Sequence, residues 1–218
     1  MLKKLVALTA CLLLASACSA QPSAEAAAPT WQEGKNYWTI EPALATQSGD
    51  KVEVTEVFSY ACPHCAEFQP WADKLKASLP AGAVYVYKPA VFFEQWEPYA
   101  RAYVAASAMG VSDKAHQALF DALHRDRQPI RTLDDLARFY AGYGVKPAEF
   151  LATAQSFMVN SKLSADVAWE RQAGVAGTPT IIVAGKYRTE VSAAGGHQAL
   201  IDLVDWLVDR ELAARKSH

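Results

Sequence analysis

Two cysteines separated by two residues are the side chains of this sequence best suited to chemistry. They are Cys62 and Cys65 in the segment FSYACPHCAEF at 58–68, and His64 lies between them. A CxxC pair of this kind can bind a metal, form a structural disulfide or exchange electrons with other thiols. The residues around the pair and the positions of the other cysteines and histidines distinguish these three functions.

A metal site and a structural crosslink both fit the pair poorly. A structural zinc ion needs four ligands, but this is a single CxxC pair and the other histidines are scattered along the chain. A disulfide between residues so close in sequence removes little entropy from the unfolded chain, so it adds little stability. Electron exchange remains, and it needs neither a metal nor a cofactor. Zinc shared between two chains of a homodimer stays open as an alternative.

The residues on either side of the pair predict a buried strand followed by a helix. The segment KVEVTEVFSY at 51–60 is rich in β-branched and aromatic residues, and apolar residues recur at helical spacing from Phe68 onward. Pro63 lies where the helix would begin, a position that tolerates a missing N–H. We therefore expect Cys62 at the N-terminus of a helix.

A cysteine at a helix N-terminus ionises readily. Unpaired N–H groups and the positive end of the helix dipole stabilise a thiolate on Cys62, and His64 can donate a hydrogen bond to the sulfur or add positive charge. Both effects favour the reduced form, because only that form carries the anion, so the disulfide accepts electrons from other thiols. Cys65, one turn further and more buried, is expected to be the resolving thiol with a less perturbed pKa.

The segment EVFSYACPHCAEF at 56–68 resembles the active-site segment of the DsbA family, exported bacterial thiol:disulfide oxidoreductases of thioredoxin fold. GTPTIIVAGKY at 177–187 is similar to that family's cis-proline segment and the hairpin after it, and EGKNYWTI at 33–40 is similar to its first strand. The combination of CPHC with TP before a hairpin is specific, and the similarity spans essentially the whole mature chain. The resemblance implies an α/β, thioredoxin-like fold with an inserted helical subdomain.

The resemblance also implies roles for residues outside the CPHC motif. Pro179 would be the cis-proline, and the backbone of Thr178 would pair with an extended substrate and hold its cysteine near Cys62. The family often has Val in place of Thr178, so this residue is a departure that could alter redox poise or substrate release. Glu56 matches a buried acidic residue of the family and would exchange protons with the second cysteine. Apart from the resemblance, the position of Lys88 at the end of AVYVYK at 83–88 predicts that it either pairs with Glu56 or lies at the surface.

The long stretch between the CPHC and TP motifs is expected to be helical. Ala-rich and amphipathic segments fill it, and Thr132 with Asp135 predicts a capping box at the start of one helix. We therefore place a helical insertion at about 94–173 within a domain that spans 33–218.

The N-terminus predicts an export signal. Two lysines precede an apolar run and the small-residue segment ASACSA, as in a secretory signal peptide, which we place at 1–20 and follow with a flexible segment at 21–32. Two cleavage positions stay open. A cut before Cys18 would leave it as a lipidated first residue, and a cut after Ala20 would remove it. The product is then either tethered to a membrane or soluble in the periplasm, and the CPHC pair holds the only cysteines of its folded domain.

Composition limits the remaining classes of function. The 218 residues are 51% hydrophobic and 20% charged with a formal net charge of −2, a balance that favours neither disorder nor a nucleic-acid partner.

The expected function is oxidation of unfolded or reduced exported proteins by a monomer. The resemblance implies reoxidation by a DsbB-type, quinone-linked membrane partner. A disulfide isomerase or reductase of the same fold and a non-catalytic envelope chaperone or binding module stay open as alternatives.

Overall fold

The computed structural model describes residues 30–216, so the expected signal peptide and Cys18 lie outside the described residues. Five strands form one sheet in the order β1-β5-β4-β2-β3. Strands β2 and β3 are parallel, and the other neighbouring pairs are antiparallel. The strands are β1 (Trp38–Thr39), β2 (Val52–Phe58), β3 (Ala83–Pro89), β4 (Thr180–Val183) and β5 (Tyr187–Thr189).

Strand β2 lies inside the sheet, between β3 and β4, and leads directly to the CPHC motif. All seven of its residues are buried, because strands flank it on both edges and helices cover both faces of the sheet. On one face Phe68 and Leu75 pack with Leu203 and Val204. On the other face Val57 packs with Ile182 and aromatic side chains. This burial fixes the position of the residues that follow β2.

Eight α-helices accompany the sheet within residues 30–216, and none of them is both long and apolar enough to cross a membrane. Helix α1 follows β2, five helices lie between β3 and β4, and α7 and α8 close the chain. Their bounds are α1 (Pro63–Ser78), α2 (Glu97–Ala108), α3 (Ser112–Phe120), α4 (Leu133–Ala141), α5 (Pro147–Ala154), α6 (Phe157–Gln172), α7 (Val191–Ala194) and α8 (His197–Lys216).

The helices between β3 and β4 have a core of their own that reaches the CPHC motif. Leu136, Tyr140 and Phe150 pack in the same cluster as Cys62 and Cys65. The predicted capping box begins α4: the Thr132 hydroxyl accepts the Asp135 N–H and the Asp135 carboxylate accepts the Thr132 N–H. The structure thus confirms the thioredoxin-like sheet with a helical insertion, and it places the cysteines where the two parts meet.

The first strand is shorter than the sequence predicts. The segment expected as a strand at 33–40 begins with a turn, in which Gly34 takes a φ of 77° and the Asn36 side chain accepts the Gln32 N–H. Only Trp38–Thr39 form β1, which pairs with β5 alone. Glycine and asparagine favour this turn because both tolerate local conformations that a regular strand excludes.

The hairpin between β4 and β5 provides a test of the turn geometry. Gly185 takes a φ of 66°, and a Cβ atom there would lie 2.2 Å from the Leu44 carbonyl oxygen. We expect Gly185→Ala to lower the free energy of unfolding by about 2 kcal/mol, since it adds a backbone clash to the cost of a positive φ. Gly49→Ala is the control, because Gly49 also has a positive φ but nothing within 4 Å of its Cβ position. If urea denaturation showed equal losses of unfolding free energy in Gly185→Ala and Gly49→Ala, the clash with Leu44 would be contradicted.

Candidate active site

Cys62 lies at the N-terminus of α1, as predicted. It is the N-cap residue, in an extended conformation with φ −89° and ψ 117°, and Pro63 is the first helical residue. The Cys62 carbonyl accepts the N–H groups of Cys65 at 3.1 Å and Ala66 at 3.2 Å, which starts the helix. Both cysteines are free thiols in this structure. Cys62 is 6% exposed and Cys65 is fully buried, so only the first sulfur reaches the surface.

Hydrogen bonds to the Cys62 sulfur lower the pKa of this thiol from 9.0 to about 5. The largest cause is the hydrogen bond from the Cys65 thiol, which outweighs the effect of burial; Thr178 and the backbone N–H groups of Cys65 and His64 lower the pKa further. These donors stabilise the anion because a helix N-terminus leaves its first N–H groups without partners in the helix. At neutral pH the reduced protein therefore carries a thiolate at Cys62.

Thr178 faces Cys62, as the resemblance implied. In the thiol form the Cys62 sulfur donates to the Thr178 carbonyl at 3.4 Å. The Thr178 hydroxyl is buried and has no hydrogen-bond partner within residues 30–216, so it is free to donate to the sulfur once the thiol ionises. A valine at this position would lack that donor.

His64 reaches the sulfur through its backbone. Its N–H group is one of the donors that lower the Cys62 pKa. The imidazole ring lies in solvent, 78% exposed, with Nδ1 3.5 Å from Glu67 Oε2. The sequence predicted that the ring donates a hydrogen bond to the sulfur or adds positive charge near it; the structure gives no such hydrogen bond and places the ring beside Glu67.

Cys65 departs from the prediction of a less perturbed thiol. Its burial is as expected, but the pKa of the Cys65 thiol is raised well above its ordinary range. Burial is the largest cause, followed by the hydrogen bond that Cys65 donates to Cys62 and by the negative charge of Glu56. The expectation missed this effect because the two sulfurs share one proton: the bond that stabilises one anion holds the proton on the other sulfur.

Glu56 is fully buried in β2, as its neighbours predicted. Burial raises the pKa of its carboxyl from 4.5 to about 7, and the hydrogen bond from Tyr85 partly opposes this shift. The Tyr85 hydroxyl lies 2.5 Å from Oε2, whereas Oε1 has no partner within the described ranges. A carboxyl with a pKa near neutrality and one free oxygen can give and take protons at the pH where the thiols react.

Lys88 does not pair with Glu56 and does not lie at the surface. It is buried, and its ammonium lies 2.5 Å from Asp166 Oδ1 of α6. The sheet register explains this: Glu56 pairs with Tyr87, and Lys88 pairs with Val57. Because alternate residues of a strand point to opposite faces, Lys88 lies on the face away from Glu56.

Tyr85 is a residue of this site that the sequence analysis missed. It lies in β3 two residues before Tyr87, so both side chains lie on the face that carries Glu56. A cavity of about 480 Å³ beside them is lined also by Lys76 and His116. The signal was the alternation in AVYVYK at 83–88, but only the register of β3 against β2 identifies the partner.

The Thr178–Pro179 peptide bond is cis, which confirms the prediction for this proline. A groove of about 440 Å³ begins at these residues and continues past α1 to the loop after β5. Its walls include two acidic side chains, Glu67 and Glu190, together with His64. The groove adjoins the Cys62 sulfur, so an extended chain bound there would meet the thiol.

Comparisons with known proteins match this geometry. A thioredoxin family model matches residues 47–203. The thiol:disulfide interchange protein DsbA of Pseudomonas aeruginosa is 34% identical over 209 residues, which are 96% of this chain and 97% of that protein. The crystal structure of P. aeruginosa DsbA has a TM-score of 0.79 at 33% identity, covering 85% of this chain and 97% of that one. That of the oxidoreductase DsbA from Xylella fastidiosa has a TM-score of 0.78 at 35% identity, covering 85% and 99%.

Proposed function

The chain belongs to the DsbA family of thiol:disulfide interchange proteins, and we propose that it donates the Cys62–Cys65 disulfide to reduced proteins after their export. The observation that carries this proposal is the position of Cys62 at the N-terminus of α1, with its sulfur 3.4 Å from the Thr178 carbonyl oxygen. In this position hydrogen bonds, above all from Cys65, lower the pKa of the Cys62 thiol to about 5, while burial raises that of Cys65. A thiolate stabilised in the reduced form makes the disulfide a good electron acceptor and makes Cys62 a good leaving group.

The reaction begins when a substrate thiolate attacks Cys62 of the oxidised protein. The Cys62–Cys65 bond breaks, its electron pair goes to the Cys65 sulfur, and a mixed disulfide forms between Cys62 and the substrate. Cys65 takes up a proton, because burial disfavours its thiolate. Glu56 supplies that proton from its carboxyl, which is protonated below about pH 7.

The second substrate thiolate completes the transfer. It attacks the substrate sulfur of the mixed disulfide, the new substrate disulfide forms, and Cys62 leaves as a thiolate. Two substrate thiols have then lost two electrons, and the pair Cys62–Cys65 has gained them. The backbone of Thr178 and the groove beside Pro179 hold the extended substrate during both attacks.

Membership of the family supports three further parts of this proposal. The mature chain acts in the periplasm after removal of the signal peptide, either free after cleavage behind Ala20 or tethered through a lipid on Cys18 after cleavage before that residue. A DsbB-type, quinone-linked membrane partner reoxidises the Cys62–Cys65 pair. The chain acts as a monomer, since one chain supplies all the groups that the two attacks use.

The test is oxidation of a reduced, unfolded protein by the mature, oxidised chain in stoichiometric amounts. We expect rapid loss of substrate thiols. In the reduced protein, ultraviolet absorbance should show a Cys62 thiolate that persists down to about pH 5. Cys62→Ser should abolish the transfer, and so should Cys65→Ser, since neither variant can form the Cys62–Cys65 disulfide that takes up the two electrons.

Other outcomes would identify another function. A couple as reducing as that of thioredoxin in glutathione redox buffers would contradict the oxidase. Rearrangement of scrambled disulfides without net oxidation would favour an isomerase. Protection of an unfolded protein that is unchanged in Cys62→Ser, with no oxidation by the unaltered chain, would favour a chaperone.

A further inference from the structure

A second cavity adjoins the segment that leads into Cys62. It has a volume of about 340 Å³ and shares no lining residue with the groove beside Thr178. One wall is Tyr60 and Ala61, the two residues before Cys62, and the opposite wall comes from the helical insertion. The mechanism described above makes no use of this cavity.

The cavity carries two arginines without partners. Arg127 and Arg131 line it, and neither guanidinium has a hydrogen bond or ion pair with any residue in 30–216. The neighbouring arginines are paired: Arg125 with Asp121 and Asp126, and Arg138 with Asp135. Both guanidinium groups therefore keep their hydrogen-bonding capacity for a ligand of the cavity.

The backbone holds the arginine wall in place. His124 donates from Nε2 to the Tyr60 carbonyl at 2.7 Å, which ties the insertion to the segment before Cys62. Arg127 has a φ of 52°, a left-handed conformation that is uncommon for any residue but glycine, asparagine or aspartate. A hydrogen bond from Gln128 N–H to the Ala122 carbonyl, 2.8 Å, closes the loop around it. An arginine in this conformation costs free energy, which points to a use for its side chain.

The distances place a bound substrate within reach of the cavity. Tyr60 precedes Cys62 by two residues, so their Cα atoms are at most about 7 Å apart. In an extended substrate whose cysteine is bonded to Cys62, a residue two positions from that cysteine lies about 7 Å away along the chain. A side chain at that position can enter the cavity while the cysteine stays at the sulfur.

We propose that this cavity, bounded by Arg127 and Arg131, is a substrate subsite for the carboxylate of an aspartate or glutamate side chain close to the reacting cysteine. Guanidinium groups bind carboxylates through paired, charge-assisted hydrogen bonds. The groove beside Thr178 carries Glu67 and Glu190 and repels such a side chain. The acidic residue of the substrate therefore binds in the cavity rather than in the groove. The inference rests on the proposed function and adds a substrate preference to it.

The test measures the first step with the full mature chain. Peptides with one cysteine differ only in the residue two positions before or after it, which is Glu, Gln or Lys, and the rate of attack on the oxidised protein gives a second-order rate constant for each peptide. For one of the two positions we expect the Glu peptide to react about fivefold faster than the Gln peptide, with Lys slowest. The preference should vanish in about 1 M salt, where charges are screened beyond about 3 Å.

Variants of the cavity assign the preference to its arginines. In Arg127→Asn with Arg131→Gln the ratio of Glu to Gln rates should fall to about one; asparagine is chosen because it tolerates the left-handed backbone. Arg125→Gln is the control for each single variant, Arg127→Asn or Arg131→Gln, since it removes one positive charge two residues from Arg127 and Arg125 does not line the cavity. An equal fall in the control, or equal Glu and Gln rates at both positions in the unaltered chain, would overturn the subsite. Failure of every peptide to react would instead contradict the proposed function.

Discussion

The reduced protein is expected to gain stability over the oxidised protein as pH rises from 5 to 9. The pKa of the Cys62 thiol is about 5 in the folded chain, against an ordinary value of 9.0. Above pH 5 the folded reduced chain has lost this proton while the unfolded chain still holds it, so reduced stability rises by about 1.4 kcal/mol per pH unit. The gain reaches about 5 kcal/mol at pH 9 and is lost as pH falls through 5. The oxidised chain has no thiol to titrate.

Urea denaturation of both redox forms across this range would measure the effect as a difference, which cancels the other titrating groups to first order. Cys62→Ser under reducing conditions is the matched control, and its stability should not rise over the same range relative to the oxidised chain. A constant difference between the two forms would mean that Cys62 is an ordinary thiol.

This stability difference is also the driving force of the proposed reaction. At pH 7, two units above the Cys62 pKa, the thiolate favours the reduced state by about 2.7 kcal/mol, or about 60 mV for a two-electron couple. The same hydrogen bonds that hold the anion therefore make the disulfide more oxidising. Their donors are local to the start of α1 and to Thr178, which is why a short segment of structure is enough to set the direction of electron flow.

Features that depend on neighbouring residues could be predicted from the sequence. Cys62 at a helix N-terminus follows from the strand before it and Pro63 after it. The capping box of Thr132 and Asp135 requires only residues three apart. The burial of Glu56 follows from the apolar residues on both sides of it in β2.

Features that depend on pairing between distant segments could not be predicted in the same way. The partners of Glu56 and Lys88 are set by the register of β3 against β2, because a shift of one residue would exchange the faces on which their side chains lie. The cavity of Arg127 requires the helical insertion to meet the segment before Cys62, and the His124–Tyr60 hydrogen bond of that contact joins residues 64 positions apart.

Removal of the buried carboxyl in Glu56→Gln is expected to stabilise the protein at neutral and alkaline pH. The pKa of Glu56 is about 7 in the folded chain and its ordinary value is 4.5. Between these two pH values the unfolded chain ionises while the folded chain keeps the proton. The free energy of unfolding therefore falls as pH rises, and above pH 7 it is about 3 kcal/mol lower than below pH 4.5. Glutamine does not titrate, and its carbonyl can still accept the Tyr85 hydroxyl. Urea denaturation should therefore show a gain of about 3 kcal/mol at pH 8 that disappears by about pH 4.

Glu53→Gln is the matched control for this gain. Glu53 is buried in the same strand, three residues earlier, but its carboxylate accepts hydrogen bonds from the Gln47 N–H and from the hydroxyls of Ser48 and Thr55. Its removal should lower stability by about 1–2 kcal/mol, because those donors lose a charged acceptor. If both variants changed stability in the same direction at pH 8, the account of Glu56 as an unfavourably buried carboxyl would be wrong.

The same Glu56→Gln variant should slow the first attack on the disulfide while it stabilises the fold. Without the carboxyl the departing Cys65 sulfur has no nearby proton source, and loss of such a source costs about 10²-fold in rate. Single-turnover kinetics with a thiol peptide should show this loss below pH 7, where Glu56 is protonated, and a smaller loss above it. A general loosening of the structure would lower stability and rate together. Higher stability with a slower reaction would instead show that the buried carboxyl is kept for its proton, since the fold is more stable without its charge. An unchanged rate at every pH would remove Glu56 from the mechanism.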